Sequence, residues 1–510
     1  MIIQAGQPTV ICRPKSALLI WPVALSVYNS RQADVVPKSD KSAQMNPATR
    51  LHSDGVLGAF SDYEKIYLNM SRTFAHMGKE HWAIHCVCSF QHASQNGGAD
   101  TASALKLAWK ALLLEYPGLS VRPDGYTKHF VQLSESVVEE WANETFVVEL
   151  DLSADEVISS AEPKALPYLF FLPPSSEIVF LSQHWRHDAL GTCILLNRLF
   201  EILAAQHDVA SPPKMRSTIL PSPSLECAAG AIDDEDSELQ DYARKYIDDF
   251  HRKAVHSGGL PFEGDATTTP DDTAHLEIIF DSTETAALVA SCKARNISVS
   301  AAVHTALAKT VFSFSSLEER GTDYTTVMAV NMRGYLPSPY NTKAHACQTY
   351  VASITPTVSH SRSFDENAVD LTLAYRNWYS EEFLQSLKWI YKYHAAKLFA
   401  PRPPGATAPK PPSGITLSSL GVIEQYLTGH YGQAVKVDTF RFGVSMMTRQ
   451  TLLYAWTFRG RLCLSLDYNS AYYKGEMAED VLSRVRSYLE EGLAISPTCL
   501  PEGTTLSQTL

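Results

Sequence analysis

An α/β fold of mixed sheets in two comparable halves is what this 510-residue sequence predicts, and three observations carry that prediction. Short apolar runs of strand length alternate with segments of helical period on both sides of the chain's middle. Residues 208–272 change character, with prolines at 212, 213, 221 and 223, the acidic run 233–236 and the pair Gly258-Gly259, as a linker or crossover would. Hydrophobic residues make up 45% and charged residues 19%, the balance of an ordinary globular protein. The expected division is an irregular leader over 1–54, a first half over 55–207, the crossover over 208–272 and a second half over 273–510.

Residues 29–54 are polar and show no sustained period. The apolar run 17–27 is interrupted by Pro22, is too short to span a bilayer, and lacks a clear small-residue cleavage site, so a cytoplasmic protein with no membrane partner is expected. Order is expected to begin near Phe60. Residues 81–90 alternate as a strand and place Cys86 and Cys88 on one face. Residues 101–117 set Leu105, Trp109, Leu112 and Tyr116 at helical spacing and stop at Pro117-Gly118. Strand-like pieces at 146–150 and 168–171 precede 177–182, and residues 189–206 then carry Leu190, Ile194, Leu195, Leu199 and Ile202 at helical spacing.

The second half opens with a strand over 275–280 and helices over 283–294 and 298–314, the latter capped by Ser298. A buried-type strand over 325–330 runs into Asn331-Met332-Arg333. A long, aromatic, mostly helical region over 365–400 gives way to a proline-rich, non-helical excursion over 401–412. Strands at 415–419, 452–458 and 462–467 and a closing helix over 476–489 complete the chain.

With 55 acidic against 43 Lys and Arg residues the net charge is −12, which argues against a nucleic-acid partner. The nine cysteines are scattered and odd in number, reading as reduced core thiols, and no second pair at zinc-finger spacing accompanies Cys86-Val87-Cys88, so no metal is expected. The sequence has no Gly-x-Ser-x-Gly elbow, phosphate-binding loop, dinucleotide fingerprint or His-Glu-x-x-His pair.

One segment spells out chemistry. His184-Trp185-Arg186-His187-Asp188 lies between the strand at 177–182 and the helix at 189–206. About one His-x-x-x-Asp match is expected by chance in a chain of this size, yet this is the only one among 17 histidines, and its strand-to-helix turn is a rigid mount open to a cleft. A histidine titrates near neutrality and can take a proton from an alcohol and return it to a leaving thiolate, while an acid four positions on can fix its loop. His187 is the competing base; a surface or core role suits it better.

Together with residues 108–117, Val330-Asn331-Met332-Arg333, Leu417-Ser418-Ser419-Leu420-Gly421 and the block 437–473, this motif resembles the chloramphenicol-acetyltransferase-like superfamily, above all fungal trichothecene 15-O-acetyltransferase-like enzymes. The chain departs from plant relatives in placing Ala189 and Leu190 before Gly191, and in lacking their Asp-Phe-Gly-Trp-Gly sequence. Gln183 stands where condensation domains double the histidine. The resemblance implies two similar α/β domains around a central channel, and a metal-free O-acyltransferase that is expected to be a monomer. Its implied partners are acetyl-CoA, or another acyl-CoA, and a small-molecule alcohol such as a trichothecene-type fungal mycotoxin. By the same resemblance His184 is the general base, and Asp188 pairs with Arg333 to support it. Ser419, Ser445 and Thr448 are possible oxyanion or substrate contacts, although packing roles are commoner for such residues. Two alternatives stay open: a condensation-like enzyme fed by a carrier protein, and a silent ligand-binding scaffold.

Overall fold

A computed structural model of the chain describes residues 56–93, 98–205, 220–232, 236–254, 259–265, 267–315, 323–401 and 411–495. The leader 1–54 with its apolar run, most of the excursion 401–412, and parts of the crossover lie outside the described residues.

Two large sheets organise the molecule. The first is seven-stranded, in the order His430–Tyr431, Val435–Val437, Ile84–His92, Glu177–Ser182, Tyr168–Leu172, Phe146–Val148, with Arg441–Val444 also paired to Ile84–His92. The second is six-stranded, in the order Val351–Ile354, Met328–Asn331, Ile415–Val422, Thr451–Phe458, Arg461–Asn469, Thr273–Ile279. Both mix parallel and antiparallel neighbours. Cys86 and Cys88 are fully buried on one face of the central strand of the first sheet, in one core with Trp109, Phe180 and Leu199. That core is closed by the helices Gly98–Glu115 and Ala189–Ala205. The second sheet is covered by Val299–Phe314, whose N-cap Ser298 accepts from Ala301 N–H, and by Gly475–Gly492, which buries Val481, Leu482, Val485 and Leu489. Such i, i+3/i+4 spacing is what pins an amphipathic helix to a sheet.

Three differences from the sequence reading have local causes. Residues 325–330 form two strands: Asp323–Thr325 pairs with Thr357–Ser359, while Met328–Asn331 joins the second sheet. The break falls where Tyr324 Oη and Thr326 Oγ1 both donate to the Ile415 carbonyl, at 3.0 and 2.6 Å, drawing the chain across to the neighbouring strand. The region 365–400 is three helices, Phe364–Asn377, Glu381–Gln385 and Leu387–Leu398, interrupted at Ser380, whose side chain caps the second. The crossover holds the helix Ser237–Lys253. Asp236, the last residue of the acidic run, is its N-cap and accepts from Glu238 and Leu239 N–H, and Leu239, Ala243, Ile247 and Phe250 form its buried stripe.

The chain does not respect the division at residue 273. Residues 430–444 leave the second half and run along the edge of Ile84–His92, with Arg441 opposite Val87 and Val444 opposite Ile84. Gly443 makes this approach possible: a Cβ there would sit 2.3 Å from the His85 ring and 2.5 Å from Asp467 Oδ2. The same Asp467 oxygen accepts from Val444 N–H at 2.9 Å, and the other lies 2.7 Å from His275 Nδ1, so strands of both sheets meet at one buried carboxylate. A third core forms where the helices Asp62–Arg72, Ser237–Lys253 and Leu387–Leu398 pack together. The seven described cysteines are unpaired, and among the described residues no single helix is long and apolar enough to cross a membrane.

Candidate active site

The strand Glu177–Ser182 delivers a tight loop, and the helix Ala189–Ala205 takes the chain away from it. Arg186 stiffens this loop from below: fully buried, it donates to the carbonyls of Val121 at 2.7 Å and Ala165 at 2.9 Å, and to that of Gly118. Asp188 ends the loop and starts the helix. Its backbone carbonyl accepts from Thr192 N–H at 2.9 Å, and its Oδ1 accepts from Gly191 N–H at 2.7 Å, satisfying donors a helix N-terminus leaves open.

The remaining capacity of that carboxylate is spent across the molecule. Arg333 Nη1 donates to Oδ1 at 3.0 Å and Oδ2 at 2.9 Å, and Tyr350 N–H donates to Oδ2 at 2.8 Å. Arg333 Nη2 in turn donates to the Gln348 carbonyl at 3.0 Å. Asp188 is 2% and Arg333 5% exposed, so the ion pair is desolvated and held by hydrogen bonds on both sides. The structure thus brings together the first-half acid and the second-half arginine that the sequence suggested as partners.

The position of Gly191 also has a reason. A Cβ there would lie 2.4 Å from the Ala346 carbonyl and 2.8 Å from Arg333 Nη2. Gly191→Ala is therefore expected to cost about 1–3 kcal/mol through overpacking, read as a lower midpoint in urea unfolding. An unchanged midpoint would show that the segment from Ala346 to Gln348 can yield.

His184 is half-buried in the wall of a cavity of about 1060 Å³ between the two sheets. Its ring stacks on Tyr67, with centroids 4.5 Å apart and planes at 26°, and lies 6.1 Å from Trp82. Its carbonyl accepts from Thr349 Oγ1, a second tie from the other half. Burial pushes its pKa below the ordinary 6.5, against the opposing pull of its own backbone and of the Asp188 charge, so the ring is neutral at physiological pH. Nδ1 is enclosed by protein. His187 occupies a different environment: fully buried, edge-on to Phe180, with Nδ1 2.8 Å from Ser182 Oγ. Burial first, then the charges of Arg186 and Arg333, hold it uncharged.

Of the three hydroxyls singled out from sequence, Ser419 lines the His184 cavity, with Oγ 2.7 Å from Ser300 Oγ. Ser445 lines a separate cleft with Lys79 and Glu80, and its backbone pairs with Trp82 and Ala83. Thr448 lines neither space, and its Oγ1 accepts from Gln450 N–H at 3.3 Å. Sequence reasoning missed Tyr67, Trp82 and Gln450 and took Asn331 only as part of the Arg333 motif; all four line the cavity. The one available signal was the pair Tyr63 and Tyr67, four residues apart behind Ser61-Asp62-Tyr63-Glu64, a capping box that starts the helix Asp62–Arg72.

Two mixed sheets thus face each other across a cavity, with a neutral histidine in its wall and its loop tied from the opposite side by a buried Asp–Arg pair. No protein-family profile matches the chain. It is 52% identical over 438 residues to azaphilone biosynthesis cluster protein M of Aspergillus terreus, spanning 86% of this chain and 96% of the relative. It is 46% identical over 436 residues to the O-acetyltransferase pigM of Monascus ruber, spanning 86% and 85%. Among solved structures, the trichothecene 15-O-acetyltransferase of Fusarium sporotrichioides aligns with a TM-score of 0.68 at 16% identity, over 90% of this chain and 100% of that one, a likeness of fold. The chain belongs to the same family of fungal acetyltransferases as pigM, and it shares its fold with the trichothecene 15-O-acetyltransferase.

Proposed function

We propose that the protein transfers an acetyl group from acetyl-CoA to a hydroxyl of an azaphilone-type fungal metabolite, with His184 as general base. The observation that carries this reading is the uncharged His184 ring, mounted in the cavity wall by ties to both halves. With Nδ1 enclosed, Nε2 is the nitrogen left to meet a hydroxyl. It accepts the hydroxyl proton as the oxygen attacks the thioester carbonyl; the carbon–sulfur bond then breaks, and the leaving thiolate takes the proton back from the imidazolium. Asp188 spends its lone pairs on Arg333, Gly191 and Tyr350, which suits an anchor rather than a proton carrier. Ser419 and Gln450, on the cavity wall, are the candidates for holding the tetrahedral oxyanion. The azaphilone-type acceptor is supported by relatives at 52% and 46% identity, whereas a trichothecene-type acceptor rests on a likeness of fold at 16%.

The direct test incubates the purified protein with labelled acetyl-CoA and a pool of deacetylated azaphilones. Label recovered in an ester is the expected result. Transfer only from a carrier-bound acyl group would assign the condensation-like chemistry instead, and binding without transfer from either donor would leave a ligand-binding scaffold. The pH profile follows from the direction of the His184 shift. A base works deprotonated, so kcat/KM falls as pH drops through the folded-state pKa, and a depressed pKa places that acid limb below pH 6.5 with a plateau through neutrality. An acid limb centred above pH 7 in initial-rate measurements would contradict this.

A further inference from the structure

A second space of about 700 Å³ adjoins the His184 cavity and shares four lining residues with it, Tyr67, Trp82, Val327 and Ser353. Its walls come from the three helices of the third core, Asp62–Arg72, Ser237–Lys253 and Leu387–Leu398. None of its fifteen lining residues carries a charged side chain; its one histidine, His394, is held neutral by burial, which pushes its pKa down to about 3. Three polar groups of the wall are already engaged. Tyr63 Oη donates to the Val351 carbonyl at 2.6 Å, Tyr246 Oη to the Ser353 carbonyl at 3.0 Å, and His394 Nδ1 lies 3.1 Å from His251 Nε2. What faces inward is aromatic and aliphatic surface.

That chemistry decides between the parts of the two substrates. The nucleotide and the amide-bearing arm of CoA need cations and a dense set of hydrogen-bond partners, whereas this chamber holds no charged side chain and three of its polar groups are spent on the protein itself. An acetyl group is two carbons and does not reach from the His184 wall of the first space into the helical walls of the second. We infer that the chamber seats an extended apolar portion of the acceptor alcohol, with Tyr67 and Trp82 marking the boundary between the reacting hydroxyl and its tail. The inference rests on reading the adjoining cavity as the acyl-transfer site. It makes Met70, Ile390 and Leu398, on the walls of the chamber, specificity-determining residues that never meet the reacting atoms.

The experiment is calorimetric titration of the full chain with resorcinol alkyl ketones whose chain grows from methyl to nonyl, and separately with acetyl-, hexanoyl- and decanoyl-CoA. The wild type is expected to bind the ketones about fourfold more tightly for each added methylene until the chamber is full. Leu398→Trp, which fills the chamber, is expected to flatten that series. Met70→Phe fills it from the opposite helix and decides the matter if Leu398→Trp does not fold with a wild-type melting temperature. No gain with chain length in the wild type, or equal gains in wild type and variants, overturns the proposal. A gain along the acyl-CoA series that the filling variants abolish also overturns it, by assigning the chamber to the acyl chain. Because binding is read rather than turnover, a protein that transfers no label still returns a result here, so failure of the acetyl-transfer reading and failure of the chamber reading are separable.

Discussion

His184→Ala lowers kcat for ester formation by about 10²–10⁴-fold while the KM values for both substrates change little. The substitution removes the only neutral imidazole on the cavity wall among the described residues, and leaves the loop ties intact, since Thr349 bonds the residue's backbone and Arg333 bonds Asp188. Residual rate reflects proximity and oxyanion contacts, which the variant retains. Single-turnover acetyl transfer is the measurement, with melting temperature as the control for folding. The companion His187→Ala tests the competing base. Its ring is sealed between Phe180 and Ser182, so its loss is expected to lower stability and leave the acid limb of the pH profile where it was. Equal turnover by His184→Ala and wild type would remove His184 from the chemistry.

Arg333→Met is expected to cost about 3–5 kcal/mol of stability, because it strands the Asp188 carboxylate in the interior without its cation. The loss exceeds that of a surface ion pair, worth at most about 1 kcal/mol, since neither partner can turn to water. Urea unfolding monitored by tryptophan fluorescence measures it. The double variant Asp188→Leu with Arg333→Met is expected to recover part of the loss by removing the stranded charge, though not the cap that Asp188 gives to the helix Ala189–Ala205. Activity should track the pair rather than global stability: both variants release the loop carrying His184 and lower kcat. A double variant with full activity would show that the loop holds its shape without the pair.

The elements most legible in the sequence were those whose apolar pattern matches a uniform burial environment. The closing helix packs one stripe on a sheet face and shows the helical period, whereas the strand at 177–182 is buried on both faces and the helix after it on nearly all sides, so both read as apolar runs of the right length. The helix Ser237–Lys253 was hidden because its buried stripe is only four residues wide in an otherwise charged segment and follows a run of acids that reads as linker. The strands between 430 and 444 were hidden for another reason: two to four residues long, Val435–Val437 and Arg441–Val444 owe their extended conformation to pairing with Ile84–His92, some 350 residues earlier in sequence, and His430–Tyr431 to pairing with Val435–Val437. The site divides the same way. His184, Asp188 and Arg333 stand in short linear motifs, whereas Tyr67, Trp82 and Gln450 reach the cavity only through tertiary packing, and no local pattern distinguishes them from core residues.

The loan of residues 430–444 to the first sheet limits how substrates can come and go. Hinged enzymes admit a large ligand by swinging two bodies apart, but here a hydrogen-bonded ribbon from one body is woven into the other, and Gly443 leaves no slack between His85 and Asp467. Gaping would require tearing several ladder bonds at once. Any widening of the cavity between the sheets is therefore expected to come from side-chain rotamers on its walls rather than from a parting of the two bodies.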